Sequence, residues 1–432
     1  MSLKKGNPVT GAQLLFCTGS STEINGMLEK QRVHRVLITI LYPNERKGVV
    51  FVTGAQLKEE IAAYSKSIGV DKVGFASVDP FLTLKDRLVR HRELGYESGF
   101  EEQDLEKRTR PELLLPEAKT IIAIAIAYPS KMKDAPVSKK GERRGIFCRA
   151  SWGEDYHHVL RRKLRQIEAF IEERVPGSRS VSMVDTGELS DRAVAERAGI
   201  GWSGKNCAII SHEFGSYMYL GEMITTVALE PDQPIEDQCG TCNKCVDACP
   251  TGALVQGGQL DSGKCIAYLT QTKDFLPDRF RKKLGNRLYG CDTCQVVCPE
   301  NKGKDFHHHE ELEPDPEVVK PKLEPLLTIT NREFKDTYGR IAGSWRGKKP
   351  IQRNAIIALA HFKEESALPV LYDLMLEDPR PVIRGTAAWA AGVIGGGEES
   401  ESVLKQAKLR ETDPQVLAEI DKGLEILLNK EI

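Results

Sequence analysis

Apolar residues at helical spacing alternate with short apolar runs at strand spacing from about residue 55 to residue 227. Residues 57–68 read as an amphipathic helix ending at Gly69, and 72–78 as a strand. Thr120–Ala127 is a continuous apolar run closed by Tyr128-Pro129, the pattern of a central strand covered on both faces. Residues 156–175 are helical in pattern, stopped by Pro176-Gly177, and 180–184 form a short strand that runs into Asp185-Thr186-Gly187. Residues 207–211 and 217–227 read as paired strands around the Glu213-Phe214-Gly215-Ser216 turn. This alternation predicts an α/β domain over 51–230.

Two other regions differ in character. From about 341 to 432, Pro350-Ile351-Gln352-Arg353-Asn354-Ala355 is echoed by Pro381-Val382-Ile383-Arg384-Gly385-Thr386 and more weakly at Asp413-Pro414. Proline-initiated, Ala-rich helices repeating every thirty-odd residues predict a short HEAT-like solenoid, an architecture that usually offers a binding surface. Residues 301–340 are rich in charge and proline and are expected to be a linker; there, His307-His308-His309 reads as an exposed loop rather than a metal site. Residues 1–50 show no sustained period. Glu45-Arg46-Lys47-Gly48 followed by Val49 or Val50 has the look of a translated ribosome-binding site before a later start, so this leader is of doubtful status.

The cysteines change the picture most. Eight of the eleven lie at 239–298. One block is Cys239-x2-Cys242-x2-Cys245-x3-Cys249-Pro250, the second is Cys291-x2-Cys294-x3-Cys298-Pro299, and Cys265 stands between. In two-cluster ferredoxins the fourth cysteine of such a run ligates the other cluster. That crossing rule gives two complete sets: Cys239, Cys242, Cys245 and Cys298 for one 4Fe–4S cluster, Cys249, Cys265, Cys291 and Cys294 for the other. Zinc would need only two Cys-x2-Cys pairs and would leave the Cys-x3-Cys-Pro tails unexplained. A two-cluster module is therefore expected over 231–300.

The formal net charge of -1 excludes a globally basic nucleic-acid binder, though not a local basic patch. No run of eighteen apolar residues suggests a membrane span, and no export signal is read, so disulfides are disfavoured and a cytoplasmic location is expected.

Clusters carry electrons but make no product, so the α/β domain has to supply a redox centre or a docking surface. Its densest signal runs from Val184 to Asn206. Asp185 lies just past a strand end, and Gly187, Gly199, Gly201 and Gly204 are expected to admit close approach of a large planar ligand. Ser190 is the better N-cap for the helix that follows, which leaves Asp185 free.

This run, the two cysteine blocks with Cys265, and the segment Arg346-Gly347-Lys348-Lys349-Pro350-Ile351-Gln352-Arg353-Asn354 together resemble the epoxyqueuosine reductases, over about 55–430. The resemblance implies cobalamin held base-off in the α/β domain and fed with electrons by the two clusters. It implies two-electron reduction of the epoxide of epoxyqueuosine at the wobble position of tRNA, with Asp185 as proton donor. Cobalamin contacts would fall on Asp185, Arg108, Cys148, Ser211, Leu220 and Asp292. The implied partners are tRNA and a low-potential electron donor protein, with a monomer expected and no membrane. Arg279, Arg281, Lys282, Lys283 and Arg287 cluster before the second cysteine block, and Arg346, Lys348, Lys349 and Arg353 open the repeats. Phosphate contacts need such local charge; Lys282, Lys283, Arg346, Lys348, Lys349 and Arg353 are the expected tRNA contacts. Two rivals are a corrin-free electron-transfer adaptor and a corrinoid dehalogenase; the HEAT-like tail and the lack of a twin-arginine leader weigh against the second.

Overall fold

The computed structural model describes residues 35–39 and 49–429, so most of the 1–50 leader lies outside the described residues. Within that stretch Arg35–Thr39 pairs antiparallel with Val49–Thr53. Helix α1 (Gly54–Ser67) begins at a capping box: Thr53 Oγ1 accepts from the Gln56 N–H while the Gln56 side chain accepts from the Thr53 N–H.

A four-stranded sheet follows, made of β1 (Lys72–Ser77), β2 (Thr120–Ala127), β3 (Ser180–Met183) and β4 (Met218–Thr225) in the order β1-β2-β4-β3. Every neighbouring pair is antiparallel. The apolar run in β2 is continuous because both faces are covered. Ile122, Ile124 and Ile126 pack with α1 and α2 (Tyr156–Arg174), while Ile121, Ala123 and Ala125 pack with α3 (Asp191–Arg197). The expected pairing of 207–211 with 217–227 is not what forms. Ile209–Ile210 pairs with Trp202–Ser203, and only a Ser211–Gly215 bridge closes the turn, because β4 is fully engaged by β2 and β3.

The cysteine module and the C-terminal repeats share one core. The module's α4 (Asp278–Leu284) packs on a stack of α5 (Lys348–Phe362), α6 (Leu368–Glu377), α7 (Pro381–Ile394), α8 (Gly397–Arg410) and α9 (Pro414–Leu428). Residues 301–340 are not a free linker: Val319, Leu323, Leu326, Leu327, Phe334 and Tyr338 enter the same core, carried by three short helices. His308 and His309 are bonded to a distant carboxylate, Asp71, at 2.8 and 2.6 Å, and His309 is buried. The three donor atoms lie within 4.8 Å of one another and are engaged with each other, so they tie this segment to the α/β domain.

Arg281, expected on the basic patch, points inward from α4. It forms a two-pronged pair with Glu419 of α9 at 2.6 and 2.8 Å, both side chains buried. Removing Glu419 leaves the buried guanidinium with only the more exposed Asp278, at 3.2 Å, as a counter-charge. Glu419→Ala is expected to destabilise the repeats by roughly 3–5 kcal/mol, read as a lower denaturant midpoint; an unchanged midpoint would contradict this role.

Candidate functional site

The backbone leaves β3 and turns at Asp185, which adopts φ +54, a left-handed conformation unusual for a residue other than glycine. The turn is pinned from below: the Asp185 N–H donates to Asp191 Oδ2 at 2.7 Å. Ser190 occupies the N-cap position of α3 as expected, but its hydroxyl makes no capping bond. The Asp185 side chain is 62% exposed yet hemmed in by protein, as on the wall of a cleft. Its Oδ2 lies 3.4 Å from His157 Nε2, and the other ring nitrogen of His157 is 2.6 Å from Asp155 Oδ1. The resulting line is carboxylate, imidazole, carboxylate.

Their proton affinities follow from this pairing. The His157 ring, an ion-pair neighbour at 3.4 Å whose Nε2 lacks hydrogen-bond alignment, holds the Asp185 carboxyl below its usual value against the opposing effect of desolvation. Burial alone would lower His157, but Asp155 and Asp185 outweigh that and raise its pKa to about 9. Desolvation, reinforced by the Asp185 charge, lifts Asp191 to about 6. Beneath them Glu222 of β4, opposite Met183, is 1% exposed with no hydrogen-bond partner, and desolvation holds its carboxyl in the neutral form.

Two other segments meet beside this turn. Ile146–Phe147 and Arg287–Tyr289 pair in parallel, setting Cys148 against the start of the second cysteine block. Gly290 (φ +72) is required there, since a Cβ would collide with Cys148 Sγ. Asp292 accepts from the Arg149 N–H at 3.1 Å and from its guanidinium at 2.9 Å. Burial pushes the Tyr289 hydroxyl up, and the Cys148 and Asp185 groups, both within electrostatic reach, add to the effect. Arg108 has its guanidinium half-buried beside Arg192 and Glu101, with no ion pair among the described residues. Leu220 is half-buried on the α3 side of the sheet.

Ser211 is a correction. It is fully buried, and its hydroxyl and both backbone groups are bonded within the 211–215 turn, which leaves nothing to offer a ligand. The glycine series is another. A Cβ at Gly201 or Gly204 would strike Ile210, and one at Gly187 the Met183 side chain, so these glycines serve the protein's own packing.

The cysteines of each expected set act on one another electrostatically. Cys298 senses Cys239 and Cys245, and Cys245 senses Cys239 and Cys242. Cys265 senses Cys291 and Cys249, while Cys294 senses Cys291, Cys265 and also Cys245, so the groups are neighbours. Cys239, Cys242, Cys245 and Cys298 line one hollow together with Trp202, Lys205 and Asn206. Four thiols and unpaired N–H donors around one hollow are a donor set that suits an iron–sulfur cluster.

Of the expected tRNA contacts, Lys282 and Lys283 are exposed on α4, opposite the buried Arg281. Lys349 makes no side-chain hydrogen bond among the described residues, whereas Lys348 is half-buried and donates to the Ile329 carbonyl at 2.8 Å. Arg353 has to be removed from the set. It is 1% exposed and donates to the carbonyls of Leu269, Thr272 and Asp274, so no phosphate can reach it. The sequence reading missed an exposed aromatic group in which Arg346 lies over the rings of Phe100 and Trp345, at 5.1 and 4.9 Å, and Tyr268 packs against Phe100. Phe100 and Trp345 are 44% and 53% exposed. The signal available in the sequence was Trp345 beside Arg346.

An α/β domain with a carboxylate–imidazole cleft, joined to a two-cluster module and a HEAT-type stack, defines an iron–sulfur oxidoreductase of several modules. Three family models match: "4Fe-4S double cluster binding domain" at 238–301, "Epoxyqueuosine reductase QueG, DUF1730" at 108–186, and "HEAT repeats" at 346–424. The epoxyqueuosine reductase of Bacillus cereus is 68% identical over 375 residues, 87% of this chain and 98% of the relative. A crystal structure of epoxyqueuosine reductase with an epoxyqueuosine-modified tRNA-Tyr stem loop has a TM-score of 0.85 at 66% identity, covering 86% of this chain and 99% of that one. The Streptococcus thermophilus enzyme has a TM-score of 0.82 at 42% identity, covering 87% and 100%. The chain belongs to the epoxyqueuosine reductase family and is an oxidoreductase. Among the described residues no helix is long and apolar enough to cross a membrane.

Proposed function

We propose that this enzyme reduces the epoxide of epoxyqueuosine to the alkene of queuosine at the wobble position of tRNA. The change takes up two electrons and two protons and releases water. The observation that carries this reading is an accessible carboxylate, Asp185, backed by the His157 imidazole, within electrostatic reach of Tyr289 just ahead of the second cysteine block. The 66% identical relative crystallised with the modified stem loop supports the substrate.

Asp185 is the proton donor in this reading. At neutral pH the shared proton rests on His157, so it passes from Nε2 through the Asp185 carboxyl to the epoxide oxygen, and the carboxyl is recharged by the imidazole. Cobalamin bound base-off is the redox group assigned to the α/β domain, and when bound it supplies cobalt-centred two-electron chemistry at carbon. Arg108, Cys148, Asp185, Leu220 and Asp292 would hold it. The unpaired, half-buried guanidinium of Arg108 fits the phosphate of a base-off nucleotide tail. Electrons from a low-potential donor protein would reach this domain through the two cysteine-ligated clusters.

The reading is tested by loading the protein without oxygen with iron, sulfide and cobalamin, adding epoxyqueuosine-containing tRNA and a chemical reductant, and analysing the nucleosides by mass spectrometry. The product is expected to be lighter by one oxygen. An unchanged nucleoside from fully loaded protein would overturn the assignment.

Because the raised His157 pKa means that its proton is held below about 9 and lost above, kcat/KM is expected to fall as pH rises through about 9. His157→Gln should abolish that limb; a wild-type profile in the variant would exclude the imidazole.

We assign the RNA-facing surface to Lys282, Lys283 and Lys349, with the Phe100–Trp345–Arg346 group suited to stacking on an unpaired base. Replacing Lys282 and Lys283 together by glutamine should reduce the salt dependence of stem-loop binding, with log K against log salt flatter by roughly one to two. An unaltered slope would take α4 out of the interface.

A further inference from the structure

Two buried N–H groups next to the first cysteine set have nothing to bind. The indole of Trp202 is 1% exposed, and its Nε1 makes no hydrogen bond; Asn206 is 7% exposed, and its Nδ2 makes none. The Asn206 carboxamide is not free to turn over, since its Oδ1 accepts from the Ala208 N–H at 3.1 Å and so fixes which end faces away. Buried donors without partners are rare, because each gives up its hydration with nothing in return. Both residues line the hollow enclosed by Cys239, Cys242, Cys245 and Cys298. The segment that carries them is held rigidly against the cysteine loop: Lys205 donates to the Gly240 carbonyl at 2.7 Å and to Asn243 Oδ1 at 3.1 Å. Trp202 is anchored by its strand pairing with Ile210.

We propose that Trp202 and Asn206 are donors to the sulfur atoms of the cluster held by Cys239, Cys242, Cys245 and Cys298, and that they set its reduction potential apart from that of the second cluster. Hydrogen bonds to cluster sulfurs stabilise the reduced, more negative form, and so raise the potential. Among the described residues, no buried side-chain N–H without a partner stands beside the second set of cysteines. With these donors the first cluster is the easier of the two to reduce, which suits the site where electrons from outside would enter. The inference rests on a cluster occupying the hollow, and an iron count tests that condition separately.

The experiment is a redox titration of the loaded, full-length protein followed by electron paramagnetic resonance, comparing wild type with Trp202→Phe and with the isosteric Asn206→Asp. Iron content should stay at about eight per chain in each, the complement of two four-iron clusters. Each variant is expected to shift one couple, the same in both, to more negative potential. A tenfold loss of the reduced form corresponds to ~59 mV for a one-electron couple. With iron content intact, two unmoved couples, or two couples shifted equally, would overturn the proposal. Loss of four irons in one variant leaves the other to decide, and loss in both would show that these side chains hold the cluster's cavity open rather than tune it, which also overturns it.

Discussion

Asp185→Asn is expected to lower turnover by about 10²–10⁴-fold, the usual contribution of a positioned proton donor, while the iron content and the cluster spectrum stay as in wild type. The amide keeps the shape of the carboxyl, and the turn is held through the Asp185 backbone N–H on Asp191, so the left-handed conformation survives the change. What disappears is the passage of a proton from His157 to the substrate oxygen. The pH profile supplies a second readout. In wild type the limb near 9 reports His157 beside Asp155 and Asp185; with an amide in place of Asp185 the relay is broken, so that limb should vanish from the residual activity, as in His157→Gln. Full activity in the asparagine variant would remove Asp185 from the chemistry.

Cys298→Ser is expected to strip the cluster of the first block, although Cys298 belongs in sequence to the second. Iron should fall from about eight to about four per chain, and electron delivery should stop with it. The remaining cluster is the one held by Cys249, Cys265, Cys291 and Cys294, and Cys265→Ser should do the converse. The pairing of Cys298 with Cys239 and Cys245, and of Cys265 with Cys249 and Cys291, is the basis for this crossed outcome. Preserved signals from the first block's cluster in Cys298→Ser would show that the blocks bind independently.

The double-cluster module was legible from sequence because ligand spacing is local chemistry: a Cys-x2-Cys-x2-Cys turn serves one corner of a cluster wherever it lies. The strand Thr120–Ala127 and the repeat helices were legible for a similar reason, since burial on both faces and a thirty-residue period leave their mark directly in the residues. Facing was not legible. Arg281 and Arg353 sit in basic runs and look like phosphate contacts, yet each turns into the core to satisfy a distant partner, Glu419 in one case and the carbonyls of 269–274 in the other. The glycines of 187–204 suggested a ligand but make room for Met183 and Ile210. His309 pairs with Asp71, 238 positions away, and no local pattern reports such a bond. His157 was passed over because a histidine in a helix's first turn has no signature until Asp155 and Asp185 are seen on either side.

The grip of α5 on the cysteine module bears on how the enzyme is made. Arg353 and its neighbour Asn354, which donates to the carbonyls of Thr270 and Leu288, hold the backbone that runs from Cys265 toward Cys291. Those two side chains are translated 55 and 56 residues after the last cysteine, Cys298. The half-made protein therefore has all eight thiols but not the brace that aligns them. A chain ended by a nonsense codon before Arg353 is therefore expected to keep every cysteine yet hold less iron, for want of the side chains that brace residues 269–288.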